Sequence, residues 1–464
     1  MYKIDFEKPS KIYFVGIGGI SMSGLAEILN NAGFTVAGSD RDESNVTRML
    51  EAAGIKVFYG QKYENITKEY DCVIFTAAIH KDNPEYIATM ELGIPYLSRA
   101  ELLGQIMKNY ECAVAVAGTH GKTTTTSMIS EVLVGADMDP TVTVGGMLKS
   151  IGGNIRVGKS GYFVAEACEY TNSFLQFYPK VSVILNVEED HMDFFKDLND
   201  IRNSFSKFAA LPEEDGYVVI NGDIPDYREI VKDVRGKVIT YSIDGTNTDG
   251  NPADYSASDI NFNEYGCASF TLLYKKKEWG KVTLSVPGIH NVGNALAAAA
   301  VADIAGADRN VAAQALHGFK GTDRRFERKG EFGGVTVIDD YAHHPTEIAA
   351  TLSAAAKYPH RKLWVVFQPH TYTRTKAFFN EFAEALSKAD AVVFADIYSA
   401  RETDTLGISS ENLKDELIKR GNEAYYFGSF KEIEDFLRAS CIKDDLLITM
   451  GAGDVYLIGE ELLK

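Results

Sequence analysis

The sequence is short of positive charge, short of cysteine and without a long apolar run. Its formal net charge is -18, so nothing in the overall balance attracts nucleic acid or anionic lipid, and an anionic substrate must be captured by local sites. The five cysteines, Cys72, Cys112, Cys168, Cys267 and Cys441, are scattered and odd in number, with no CxxC pair. Such usage fits reduced thiols and suggests neither a disulfide framework nor a zinc site. The opening MYKIDFEKPSKIYFVG carries no apolar leader core, and the longest small-residue run, ALAAAAVADIAGA at 295–307, is too short to span a bilayer. The expectation is a cytoplasmic protein with no membrane and no nucleic-acid partner. Short-period repeats and low-complexity tracts are missing too. The composition, 45% hydrophobic and 24% charged, is that of an ordinary globular protein, and 464 residues exceed what one core usually holds.

What is present is an α/β alternation. KIYFVGIGGISMSGLAEILNNAGFTVAGSD reads as strand, glycine turn, amphipathic helix and a second strand ending at Asp40. DCVIFTAAI, NPEYIATMELG and IPYLS continue as strand, helix and strand, closing a first domain over 1–109. A second domain, 110–323, opens on the strand CAVAVAG and contains the strands GYFVAEA and VSVILNV. Residues 240–285 differ in texture, with β-branched and aromatic residues between turns, and predict a small antiparallel excursion. A third unit, 324–464, repeats the alternation in KLWVVFQPH, DAVVFADIY, EAYYFGSF and DLLITMGAGDVYLIG. Apolar runs followed by polar turns and helices are what a parallel sheet covered on both faces produces.

The segment AVAVAGTHGKTTTTSMISEVL carries the chemistry. A strand running into GTHGKT and then a helix directs several backbone N–H groups, and the positive end of the helix dipole, at an anion. Lys122 adds a point charge and Thr123 a hydroxyl suited to Mg2+. The spacing is shorter than G-x-x-x-x-G-K-[ST], because Val116 stands where the first glycine would be. An ordinary turn into a helix is the plainer alternative, but four consecutive threonines make a poor helix start. ATP is the expected phosphate donor. The next two strands end at Glu166 and at NVEEDHMD, placing hard oxygen ligands and His191 at the end of the sheet where α/β proteins bind ligands. Taken alone, His191 reads as a hydrogen-bonded or solvated loop histidine.

GTHGKTTT, EACEY, NVEEDHMD, GIHNVGN, RRFE, DDYAHHPTEI and FQPHTYTRT occur in the order seen in the Mur ligases, ATP-dependent amide-forming enzymes of peptidoglycan precursor synthesis. With the N-terminal VGIGGISMSGLA, the chain most resembles the alanine-adding branch of that family. The resemblance covers nearly the whole chain. It implies an N-terminal Rossmann-like domain for the UDP-sugar, a central P-loop ATPase-type domain and a C-terminal Rossmann-like domain that brings in the amino acid. It also implies the reaction: the lactyl carboxylate of UDP-N-acetylmuramate attacks the γ-phosphate of ATP, and L-alanine then attacks the acyl phosphate. The implied assembly is a monomer or weak homodimer.

By resemblance, Gly118, Thr119, His120, Gly121, Lys122, Thr123 and Thr124 hold ATP phosphates. His290, Asn291 and Asn294 lie by the adenine, Arg325 by the phosphates and Asp340 by the ribose. Without the resemblance, Asn291 reads as a helix cap and GTDRRFERKG as a solvated basic cluster. Thr123 and Glu166 would hold one Mg2+ and His191 a second, while Lys122 neutralises the meeting anions. Tyr341, His343 and Arg374 would surround the alanine, with Arg374 forking onto its carboxylate and His343 accepting a proton. Gly16, Gly18, Gly19, Ser21 and Asp40, joined by His120, would hold the UDP-sugar; alone, this G-x-G-x-x-S turn is weak support for NAD.

Two positions depart from relatives. Several Mur ligases carry a carbamylated lysine where Ser204 stands, a lysine that the alanine-adding branch also lacks. Thr371 stands where many alanine-adding members have arginine. The nearest rival reading is a ligase of the same architecture that attaches a recycled tripeptide to the same sugar nucleotide.

Overall fold

A computed structural model describes residues 2–76, 78–400, 402–404 and 406–464. Among the described residues, the strands form three sheets of five, ten and six strands. The first is wholly parallel, in the order Lys56–Tyr59, Thr35–Asp40, Lys11–Val15, Cys72–Phe75 and Tyr96–Ser98. IYFV and CVIF are buried at every position because helices cover both faces. The strand order reverses beside Lys11–Val15, the topological switch point where open α/β sheets receive ligands, and the glycine turn Gly16–Gly19 follows that strand.

In the second sheet, Cys112–Ala117 lies between Val181–Ile184 and Tyr162–Glu166, all parallel. The antiparallel excursion forms from Tyr255–Phe262, Cys267–Tyr274 and Lys277–Pro287. It is not a separate unit, because Tyr241 pairs with Tyr255 and carries the main sheet into it. One face of these strands packs on the Ala-rich helix His290–Ala305, whose small residues are almost wholly buried. The Tyr255 hydroxyl and the Trp279 indole fix the register by donating to Asp303 of that helix, at 2.7 and 3.0 Å.

The third sheet runs Glu327–Phe332, Val335–Asp340, Leu446–Met450, Leu363–Phe367, Ala391–Phe394 and Glu423–Tyr426, parallel except for its first strand. The hydrophobic core of the first sheet continues without a break into one face of the second. Two helical glycines make that approach possible. A methyl at Gly24 would overlap Ile155, and one at Gly104 would overlap the Gln176 carbonyl.

Candidate active site

The strand Cys112–Ala117 delivers the chain into Gly118–Gly121, and a helix begins at Lys122. Gly121 has φ +80°, a conformation that favours glycine. Asn186 pins the loop from the neighbouring strand end: its Oδ1 accepts the His120 N–H at 2.8 Å, and its Nδ2 donates to the His120 carbonyl at 3.1 Å. Thr119 Oγ1 accepts the Glu188 N–H at 3.0 Å. No acidic side chain occupies the first turn of the helix, so its free N–H groups and dipole face an anion site.

Lys122 Nζ donates to the carbonyls of Gly118 and Thr119 and lies 3.1 Å from both oxygens of Glu169. Burial would lower the lysine, but Glu169 outweighs it and the net shift is upward. The lysine therefore stays cationic, paired with Glu169. Glu169, 2% exposed, was not among the residues anticipated from EACEY; its only local signal is that it is the second carboxylate of that motif.

Glu166 ends its strand, with Oε1 accepting the Gly145 N–H at 2.5 Å. A Cβ at Gly145 would stand 2.8 Å from Glu166 Oε2, and one at Gly146 would stand 3.1 Å from Thr123 Cγ2. This glycine pair keeps side chains away from the Glu166 carboxylate and from Thr123, and a carboxylate and a hydroxyl are hard oxygen donors of the type that suits Mg2+. His191, at φ +54°, stacks on Tyr170 with ring centroids 4.6 Å apart. Its Nε2 lies 3.7 Å from Asp190 and 4.0 Å from Glu169. Ser204 donates to Asn172.

A cavity of about 280 Å³ opens between the second and third sheets. The phosphate loop contributes His120, Gly121 and Thr124; the Ala-rich helix contributes His290, Asn291 and Asn294; the third domain contributes Arg325 and Asp340. Asn291 is not a cap. The helix starts one residue earlier, and Asn291 Nδ2 donates to the Pro287 carbonyl at 2.7 Å while Asn291 Oδ1 accepts from Asn294 Nδ2 at 3.0 Å. Burial, then the Arg325 charge, lowers His290 to about 4. Asp340 accepts the main-chain N–H groups of Phe326 and Ala342 at 2.8 and 2.7 Å, and burial raises it to about 6 against the pull of Arg325. The RR pair divides: Arg324 turns into its own domain, onto Asp339 at 2.9 Å and the carbonyls of Gly451 and Gly453, leaving Arg325 on the cavity.

Across this interface the third domain meets the NVEED segment. His344 Nε2 donates to the Glu189 carbonyl at 3.0 Å, and the Thr346 hydroxyl donates to Glu188 at 2.7 Å. Arg374 holds Asp190 Oδ1 through Nη2 and Nε at 2.8 and 3.2 Å, with its Nη1 3.1 Å from His370. Although burial works to raise Asp190, Arg374 holds its carboxyl well below the usual range. The guanidinium assigned to the alanine carboxylate thus already has an anionic partner. Thr371 caps the short helix carrying it, accepting the Arg374 N–H at 3.4 Å. Tyr341 lies under both Arg324 and Arg325, with its ring centroid 4.9 and 5.2 Å from their guanidinium carbons.

His120 sits between two carboxylates from different domains, Nδ1 3.3 Å from Glu347 and Nε2 3.4 Å from Glu188. The Glu188 contact is a charge contact without hydrogen-bond geometry. Burial would lower the imidazole, but the two carboxylates raise it to about 9. His120, Glu188 and His344 bring ligand-type atoms within 4.8 Å of one another. His344 is nonetheless not free to bind a cation, because its Nδ1 accepts the Thr346 N–H at 3.3 Å while Nε2 donates to Glu189.

The remaining candidates lie at the first sheet. Gly16 has φ +81°, and Asp40 Oδ2 accepts the Gly18 N–H at 2.8 Å, folding the glycine turn against the end of the second strand. Gly19 and Ser21 are exposed. His120, also assigned to the UDP-sugar, lines the interdomain cavity, which the glycine turn does not.

Three family models match the chain: Mur ligase family, catalytic domain, over 11–111; Mur ligase middle domain over 116–302; and Mur ligase, glutamate ligase domain, over 324–453. The chain belongs to the Mur ligase family. It is 58% identical over the full length of both chains to the UDP-N-acetylmuramate-L-alanine ligase of Agathobacter rectalis, and 57% to that of Lachnospira eligens. Its structure is similar to that of the UDP-N-acetylmuramate-alanine ligase of Thermotoga maritima, with a TM-score of 0.79, 30% identity and 98% of each chain covered. The murein peptide ligase of Psychrobacter arcticus matches at TM-score 0.69 and 25% identity, again over 98% of each chain. Within the Mur ligase frame, the three sheets correspond in order to the three matched regions.

Proposed function

We propose that this Mur ligase joins L-alanine to the lactyl carboxylate of UDP-N-acetylmuramate at the expense of ATP, giving UDP-N-acetylmuramoyl-L-alanine, ADP and phosphate through an acyl phosphate. The observation that carries the amino-acid choice is 58% whole-length identity to a relative named for L-alanine. The domain division 1–109, 110–323 and 324–464 belongs to the same reading.

Two anions must meet for the first step, and Lys122 with the helix N-terminus behind it supplies fixed positive charge at the transferred phosphoryl group. Thr123 and Glu166 would hold Mg2+, which when bound neutralises phosphate charge, and His191 would serve a second ion. His290, Asn291 and Asn294 would receive the adenine, Arg325 the phosphates and Asp340 the ribose. The glycine turn with Ser21 and Asp40 would take the UDP. Tyr341, His343 and Arg374 would surround the alanine once its carboxylate displaces Asp190 from part of the guanidinium. The structure has no helix long and apolar enough to cross a membrane among its described residues. A cytoplasmic monomer or weak homodimer without nucleic-acid or membrane partners completes the proposal, supported by the charge of -18 and by substrates that are intracellular nucleotides.

Phosphate release from ATP, measured with UDP-N-acetylmuramate and each amino acid in turn, tests the reading. Release must depend on both UDP-N-acetylmuramate and L-alanine; release that ignores either one rules it out.

A further inference from the structure

The turn from the strand Val335–Asp340 into the helix Pro345–Ala355 carries His343 and, four residues on, Glu347. His343 Nδ1 lies 3.0 Å from the Tyr341 carbonyl and 3.3 Å from Glu347 Oε2. A carbonyl only accepts, so Nδ1 carries the hydrogen and the lone pair is on Nε2. Glu347 Oε2 also accepts the main-chain N–H of His343 at 3.1 Å, which fixes the backbone as well as the ring. Its other oxygen faces His120 at 3.3 Å and Arg325 at 3.7 Å. Burial works against the carboxylate, but the charged His120 and Arg325 keep it ionised, below the usual range. The other groups around His343 are Arg374 and Asp190, which pair with each other, and the rings of His370 and Tyr341 at 5.8 and 5.4 Å.

We propose that Glu347 and His343 act as a dyad in amide formation, with Glu347 as the positioning residue whose charge backs the Nδ1–H that the Tyr341 carbonyl orients and whose oxygen holds the His343 main-chain N–H, and His343 Nε2 as the atom that accepts a proton from the alanine ammonium. This rests on the ligase reading. The ammonium gives one proton to Nε2, and the freed nitrogen lone pair forms the C–N bond at the acyl phosphate carbonyl. The C–O bond to phosphorus then breaks, and the departing phosphate takes the second nitrogen proton. The imidazolium left behind keeps its Nδ1–H on the Tyr341 carbonyl and is stabilised by the Glu347 charge 3.3 Å away, as a buried carboxylate stabilises the imidazolium of a Ser-His-Asp triad. Burial holds the ligand-free imidazole at about 4 despite Glu347, so it is neutral and able to accept at physiological pH. The arrival of an anionic acyl phosphate beside it raises its basicity at the step that needs it.

The test uses the full-length enzyme and two nucleophiles: L-alanine, whose nitrogen is protonated at neutral pH, and hydroxylamine, whose nitrogen is not. Glu347→Gln should lose about 10²-fold in alanine-dependent turnover, the usual scale of general-base assistance, yet form hydroxamate at a rate within a few fold of the parent. Its deficit with alanine should shrink as pH rises and free amine accumulates, and Glu347→Asp should recover part of the loss. His343→Ala should give the same split and serves if the Gln variant does not fold. Parallel loss of both products, or a deficit with alanine that does not change with pH, would overturn the dyad and leave Glu347 a mere interface contact. Failure of the parent enzyme to release phosphate with UDP-N-acetylmuramate and alanine would count against the ligase reading instead.

Discussion

The ionisation of His120 reports directly on whether the third domain is docked against the phosphate loop. Its imidazole is raised from 6.5 to about 9, and its side chain is 12% exposed, so solvent screens the contacts little. A rise of that size corresponds to about 3 kcal/mol favouring the protonated, clasped state. The contribution is fully present below pH 6.5 and is lost as pH rises through about 9. Glu347 and Glu188 stand at nearly equal distances, 3.3 and 3.4 Å, and burial opposes both, so removing the charge of Glu347 should forfeit about half of the carboxylates' pull and more than half of the net rise, at least about 1.5 kcal/mol or about one pH unit. Histidine-labelled protein titrated by NMR, with His120→Gln to assign the resonance, should give an apparent value near 9 for the parent. Glu347→Gln should lower it by more than about one pH unit. A parent value near 6.5 would refute the clasp, because an imidazole in that range faces solvent and not two carboxylates.

Lys122→Ala should reduce kcat on the order of 10²-fold or more, by comparison with lost transition-state donors; near-normal phosphate release would remove this loop from the chemistry. Arg374→Ala should raise the KM for alanine far more than that for ATP, and equal changes would move Arg374 out of the amino-acid pocket. The same substitution strands the Asp190 carboxylate, costing about 3–5 kcal/mol by the usual scale for broken buried pairs. Adding Asp190→Asn should restore thermal stability without restoring the KM. Gly104→Ala should lower the thermal midpoint, since its methyl would meet the Gln176 backbone, an overpacking worth about 1–3 kcal/mol or more. Gly318→Ala, with open space around it, is the neutral control, and equal midpoints for the two would contradict the tight contact between the first and second domains.

The α/β architecture was legible because buried parallel strands leave continuous apolar runs, and because the glycine turns GIGG and GTHG mark where such strands end. The antiparallel excursion was legible in texture but not in attachment. Its junction with the main sheet is a single pairing, Tyr241 with Tyr255, and no local pattern encodes which edge a strand joins. The start of the Ala-rich helix was displaced for a related reason: Asn291 has the chemistry of a cap but finds its acceptor at Pro287, inside a helix whose boundary tertiary packing decides.

The site divides along the same line. Lys122 and Thr123 could be proposed from the loop itself, whereas His290 and Arg325 could be proposed only through the family's motifs. Glu169, Glu188, Asp190 and Glu347 could not, because each acts on a residue far away in the chain: Lys122, His120, Arg374, and His120 again. Glu347 did leave one trace. His344 as N-cap, Pro345 in the first position and Glu347 in the third is a helix-start pattern, and it accounts for the carboxylate locally without hinting that its second oxygen reaches the phosphate loop. All four are acidic, in a chain whose net charge is -18, and they neutralise the very cations needed to gather ATP and an anionic sugar nucleotide. On the proposed function, each paired cation would be released as a phosphate or carboxylate of the substrate replaces its carboxylate. Substituting these acids should consequently change substrate KM values and also lower stability, because each leaves a buried cation without its partner.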